Sequence, residues 1–120
     1  PRAMRRYEEA ARSEVAQFHL SLRGQALWGI GVVHRKLGQF AAAREYLMQA
    51  RDTFEAAEDL NDLISVLKNL GDLHLQQGQV RDALRHFHHA LRVADRIGRR
   101  VTHASILTEI GRAHLLGGLP

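Results

Sequence analysis

The 120-residue chain contains no cysteine, and its two prolines are Pro1 and Pro120. Absence of thiols excludes a disulfide framework, thiolate zinc sites, iron–sulfur clusters and cysteine nucleophiles, and the proline-free interior favours a chain made mostly of helix. The net charge of +4 arises from basic and acidic residues that are interspersed, which speaks for solubility more than for a nucleic-acid face.

Shifting the chain against itself by 40 residues superposes Gly31, Gly71 and Gly111, then Gly38, Gly78 and Gly118. The same shift aligns His34, His74 and His114, and Leu27, Leu67 and Leu107. In chain order, residues 2–20 read as the second helix of a preceding unit, because Ala11-Arg12 and Tyr7 correspond to Ala50-Arg51 and Tyr46. A complete unit follows at 23–60, with helices near 23–37 and 40–59 on either side of Gly38. The next unit, 62–100, carries helices near 62–77 and 80–97. In the first of these, Val66, Leu67, Leu70, Leu73 and Leu75 recur at helical spacing, as do Val80, Ala83, Leu84, Phe87, Ala90, Leu91, Ala94 and Ile97 in the second. A last helix near 102–116 opens a truncated unit, 102–120, that stops at Gly117-Gly118-Leu119-Pro120. Residues 1–120 thus read as one segment of an array, and the start Pro1-Arg2 without Met suits a piece of something longer. With no apolar run of about 20 residues and no signal-peptide pattern, no membrane association is expected and a cytoplasmic location is the default.

These units resemble the tetratricopeptide repeat in its long, 40-residue form. The resemblance rests on Leu27, Ile30-Gly31 and His34 in one first helix, and on Leu67, Leu70-Gly71 and His74 in the next. It extends to the turn glycines Gly38 and Gly78, and to Ala43, Leu47 and Ala50 with Ala83, Phe87 and Ala90 in the second helices. Two departures stand out: His replaces the usual aromatic three times, and the closing proline is absent. The resemblance implies an all-α fold, in which antiparallel helical hairpins stack as a right-handed superhelix of about six helices. It also implies a non-catalytic scaffold that binds a partner protein or peptide, as a segment of a larger, bacterial regulatory or signalling protein. Independently of the family, Gly31, Gly71 and Gly111 cost about 1 kcal/mol each inside a helix, so close approach of the hairpin partners is expected to compensate.

The histidines invite a ligand reading. His34, His74 and His114 share a phase, but successive helices lie roughly 10 Å apart, too far for one ion, so they are expected to fill the aromatic's place between helices. His86, His88 and His89 cluster on one helix with Asp82 as the remaining ligand candidate, too few groups for a convincing metal site. Phosphate-loop, zinc-protease and nucleophile-elbow motifs are missing, so neither an enzyme, a small-molecule substrate nor a cofactor is expected. Asp52 and Asp59 fall opposite Arg92 and Arg99 under the 40-residue shift, which suggests ion pairs across the seam. The run Arg92, Arg96, Arg99 and Arg100 without stacking aromatics makes nucleic acid the weakest of the partner readings.

Stacked hairpins present a concave surface lined by their first helices. If Leu27, Ile30 and His34 face the second helix, the opposite side lines the groove, offering Trp28 and Arg35 in one unit, Lys68, Asn69 and Asp72 in the next, and Thr108, Glu109 and Arg112 in the last. Trp28 is the expected anchor, with the alternative that it covers the neighbouring unit. Asn69 stands where many family members carry an Asn that bonds the ligand backbone. The Lys, Asn and Arg set with which chaperone-binding members clamp a C-terminal carboxylate is broken here by Val32, Ser105 and Glu109. An extended mixed-charge ligand fits what remains. The rival reading is self-association, a homodimer through exposed terminal helices.

Overall fold

The computed structural model describes residues 2–98 and 100–118, and among these it contains five α-helices and no strand. They are α1 (Arg2–Lys36), α2 (Phe40–Ala56), α3 (Leu60–Gln76), α4 (Val80–Arg96) and α5 (Arg100–Gly117). Consecutive helices pack on each other, and the short connections at 37–39, 57–59 and 77–79 make them antiparallel. The stack is elongated, 63 × 31 × 18 Å. No described helix is long and apolar enough to cross a membrane.

The count of about six helices is corrected to five, because the break expected between residues 20 and 23 does not occur. Leu20-Ser21-Leu22-Arg23 contains neither glycine nor proline, and Gly24 keeps a helical conformation; among the described residues the positive-φ ones are Gly38, Glu58, Gly78, Gly98 and Gly118. Nothing therefore ends the helix, and α1 runs unbroken for 35 residues. Its first four turns lie entirely in solvent, with Tyr7 74% exposed.

The turns that do form share one geometry. Gly38 and Gly78 adopt φ of +75° and +72°, and the following amide reaches back five residues, Gln39 N–H to the His34 carbonyl (2.9 Å) and Gln79 N–H to that of His74 (2.8 Å). This closes the orphan carbonyls of the helix end. Glu58 takes the same left-handed position at φ +57°, with the Asp59 amide on the Phe54 carbonyl at 2.9 Å. A glutamate there hides the stop signal, which is why the sequence pattern places the end of α2 near 59 and the chain ends it at Ala56.

Leu47, Phe54, Leu67, Leu70, Leu73, Phe87 and Ile106 form the fully buried centre of the stack. The glycines expected to permit close approach do so at two of three positions. A methyl group on Gly31 would lie 2.8 Å from Leu47 Cγ, and one on Gly71 would run into the Phe87 ring, whereas Gly111 has open space beside it. Gly24 makes a similar approach to Phe54, which the repeat did not reveal because Ile64 and Ala104 occupy its equivalents. Ile30, expected against the second helix, is 43% exposed, although Leu70 and Ile110 at the same repeat position are 0% and 8% exposed. The difference is that α3 has α2 packed before it and α5 has α4, whereas α1 is packed by α2 and, slightly, α3 on one side.

Of the phased histidines, His34 and His74 sit between hairpin partners, whereas the Nδ1 of His114, on the last helix, is buried without a hydrogen-bond partner among the described residues. His34 stacks on Tyr46 with ring centroids 5.4 Å apart, and His74, only 6% exposed, stacks on His86 at 5.1 Å. Each donates from Nδ1 to the glutamine five residues on, His34 to Gln39 Oε1 (2.5 Å) and His74 to Gln79 Oε1 (2.7 Å). Those glutamines precede α2 and α4 without capping them through their side chains, so the polar edge of each ring is satisfied by the turn that it closes.

Candidate functional site

α1, α3 and α5 are the first helices of successive hairpins, and the repeat places equivalent side chains of each in one row. Polar bonds lace these helices together. Gln25 Nε2 approaches Asp62 Oδ2 at 3.5 Å, and Lys68 Nζ donates to Ser105 Oγ at 3.1 Å, both spanning 37 residues. Arg112 bridges to Asp72 across units at 3.4 Å and to Glu109 on its own helix at 2.6 Å.

Five of the eight expected groove residues come together here: Arg35 from α1, Lys68 and Asp72 from α3, and Glu109 and Arg112 from α5. Asp72 reports their shared field. Burial, and then the neighbouring Glu109 charge, push its carboxyl above the usual range, while Arg112, Arg35 and Lys68 pull it down. Among the described residues neither Arg35 nor Lys68 is in an ion pair, so two cations stand beside a carboxylate pair that already holds Arg112.

The other three residues are not part of that cluster. Trp28 is half-buried with its ring edge-on to Phe54, centroids 6.2 Å apart, so it covers the core of its own hairpin and is no free anchor. The Thr108 hydroxyl donates to the Ala104 carbonyl within α5 at 3.1 Å, which turns it along the helix. Asn69 is half-buried beside Lys68 and makes no side-chain hydrogen bond among the described residues. The cross-helix partners Gln25, Asp62 and Ser105 were not anticipated as a set, since a 37-residue offset does not follow the 40-residue repeat.

Asp82, the third ligand candidate for the histidine cluster, is held by Arg85 at 2.9 Å, and among the described residues no three His, Asp or Glu groups converge. Asp52 pairs with Arg51 at 2.9 Å and not with Arg92 as expected, and Arg99 lies outside the described residues, as do Pro1, Leu119 and Pro120. His86 is instead a half-buried group that is neutral near pH 7. Burial, and then the charges of His74, Arg51, Arg85 and His89, push it down to about 4. The unfolded chain therefore takes up this proton first, so the stability His86 contributes is complete above about pH 6.5 and is lost as pH falls toward 4. Discounted for solvent screening of a partly exposed ring, the loss by pH 5 is on the order of 1 kcal/mol. Thermal melts at neutral and acid pH should show a smaller drop for His86→Phe than for the parent chain. An unchanged drop would assign the acid sensitivity elsewhere.

A comparison with curated proteins returns no significant match. The tetratricopeptide repeat family profile matches residues 22–96, more than half of the chain, from the last part of α1 through α4. With the 40-residue recurrence, the left-handed turn residues and the stacked antiparallel hairpins already in place, that match shows that the chain belongs to the tetratricopeptide repeat family.

Proposed function

We propose that this chain is a non-catalytic scaffold segment, with repeats at 23–60 and 62–100 and the first helix of another from 102, that binds an extended mixed-charge peptide along α1, α3 and α5. Tetratricopeptide repeats mediate protein–protein interaction, and the observation that supports this particular surface is the convergence of Arg35, Lys68, Asp72, Glu109 and Arg112 from three helices. Arg35 and Lys68 would take carboxylates of the ligand. Asp72 and Glu109 would exchange Arg112 for a basic ligand side chain. A role within a larger cytoplasmic regulatory or signalling protein belongs to the same reading, as the setting in which such a segment would recruit its partner.

The test is selection of binding peptides from a displayed random library on the 120-residue chain, followed by titration of one selected peptide. Lys68→Glu should weaken it about tenfold, near 1.4 kcal/mol, and raising the salt should weaken parent binding in the same direction. Arg112→Glu should go the other way and tighten binding, because it leaves Asp72 and Glu109 free for the basic ligand side chain without an exchange. Affinity unaffected by either variant would remove this face from consideration.

A further inference from the structure

The outer side of α4 carries almost a single sign of charge. Its exposed residues are Arg81, Arg85, His88, Arg92, Asp95 and Arg96. Successive helical residues are turned by about 100°, so Arg81, Arg85, His88, Arg92 and Arg96 fall within about 80° of arc and form a straight ridge about 22 Å long. The ridge points away from Ala83, Phe87, Ala90 and Ala94, which are fully buried. Asp95 is held by His103 of α5 at 2.5 Å, and Arg85 reaches Asp82 at 2.9 Å. Among the described residues Arg81, Arg92 and Arg96 are in no ion pair. Leu84 and Leu91, two turns apart along one flank of the ridge, are half-buried. The repeat does not require this face. Its 40-residue equivalents on α2 are Ala41, Glu45, Met48, Asp52 and Ala56, with Arg44 and Arg51 in the places of the two leucines. Nor does α4 gain from it. Arg81 stands in the first turn, where the helix dipole disfavours a cation, and Arg81 with Arg85 and Arg92 with Arg96 are like charges one turn apart.

We propose that this ridge docks an acidic helix of a partner protein, with its carboxylates on the arginines and its apolar residues against Leu84 and Leu91. Charge complementarity sets the sign of the partner, because bare arginines in a row are matched by a row of carboxylates. The spacing argues for a helix. Steps of three and four residues separate the ridge side chains by about 4.5 and 6 Å, and the same steps on a partner helix reproduce them. Along an extended chain, side chains on one side recur about every 6.7 Å and slip by most of a position over the length of the ridge. The two leucines add what a helix with one acidic and one apolar stripe would bury. Nucleic acid fits less well. α4 exposes no Phe, Tyr or Trp on which a base could stack, and it is packed on α3 and α5, so it does not stand free to enter a groove. The ridge belongs to a second helix and the proposed peptide surface to the first helices, so neither reading needs the other.

The probe is a synthetic alanine-based helix with Glu at i, i+4, i+8, i+11 and i+15, the spacing that meets the ridge antiparallel, and with Leu two turns apart beside that row. A control peptide scatters the same residues around the helix. Titrated on the 120-residue chain, the aligned peptide should bind about tenfold more tightly than the scattered one. Arg92→Glu should weaken the aligned peptide about tenfold, and Lys in place of the facing Glu of the peptide should restore binding. Because Arg92 is exposed, circular dichroism should show the variant folded like the parent. Lys68→Glu changes the net charge equally on the first-helix surface and should leave the aligned peptide unaffected. Equal affinity for the two peptides, no binding of either, or an equal loss with Lys68→Glu would overturn the proposal. So would a DNA duplex that binds more tightly than the aligned peptide at the same salt, which would give the ridge to phosphates.

Discussion

Leu70→Ala will lower the unfolding free energy by about 3–4 kcal/mol. Leu70 is fully buried in α3 within the cluster that includes Leu47, Leu67 and Phe87, so the methyl groups removed leave a cavity that neighbours on both sides cannot fill. The same repeat position provides its own controls. Ile110→Ala, 8% exposed, should cost about 2 kcal/mol, and Ile30→Ala, 43% exposed, about 1 kcal/mol or less. Denaturant titrations of the three variants would show a graded series. Equal costs would mean that burial by the preceding hairpin is not what separates these positions.

Gly71→Leu will cost about 3 kcal/mol, the upper end of what overpacking produces. A methyl at Gly71 would sit 2.7 Å from Phe87 Cδ1 and nearer still to the far edge of that ring. The ring is fully buried, with Ala83 and Ala90 on its own helix also at zero exposure, so it has nowhere to retreat. Gly71→Ala separates the causes. It gains about 1 kcal/mol of helix propensity yet should still destabilise by about 1 kcal/mol, because the clash remains. In a Phe87→Leu background the same change should become neutral or stabilising. Gly111→Ala should go the other way and stabilise by about 0.5–1 kcal/mol, since nothing lies within 4 Å of a methyl there. Thermal melts of these four chains check the argument. Destabilisation by Gly111→Ala equal to that by Gly71→Ala would show that a backbone requirement, and not helix approach, fixes glycine at this repeat position.

The contrast between Gly71 and Gly111 shows how far the sequence could be read. A 40-residue recurrence of glycine, leucine and histidine identifies the position within the hairpin and hence the helices, their order and most of the core. It cannot say whether a given copy of the position has a neighbour, because that depends on what packs against its own helix. Ile30 and Trp28 were misplaced for related reasons. The period puts Ile30 with Leu70 and leaves Trp28 on the open side, but in the structure Ile30 is bare and Trp28 lies on Phe54. Of the proposed binding surface, the charges were legible because they occupy the solvent side of the first helices. Their pairing was not. Arg112 chooses Asp72 and Glu109, and Asp52 chooses Arg51 over Arg92, through distances that only the packed helices set.

By itself, the sequence determined the repeat, the helical hairpins, the glycine turns and the family, because each follows from local periodicity and from φ values that glycine alone adopts freely. The tertiary structure decided the rest. It drew Arg35, Lys68, Asp72, Glu109 and Arg112 onto one surface. It also left one face of α1 uncovered. Those outcomes are set by which helix stands beside which, a non-local property that no window of neighbouring residues encodes.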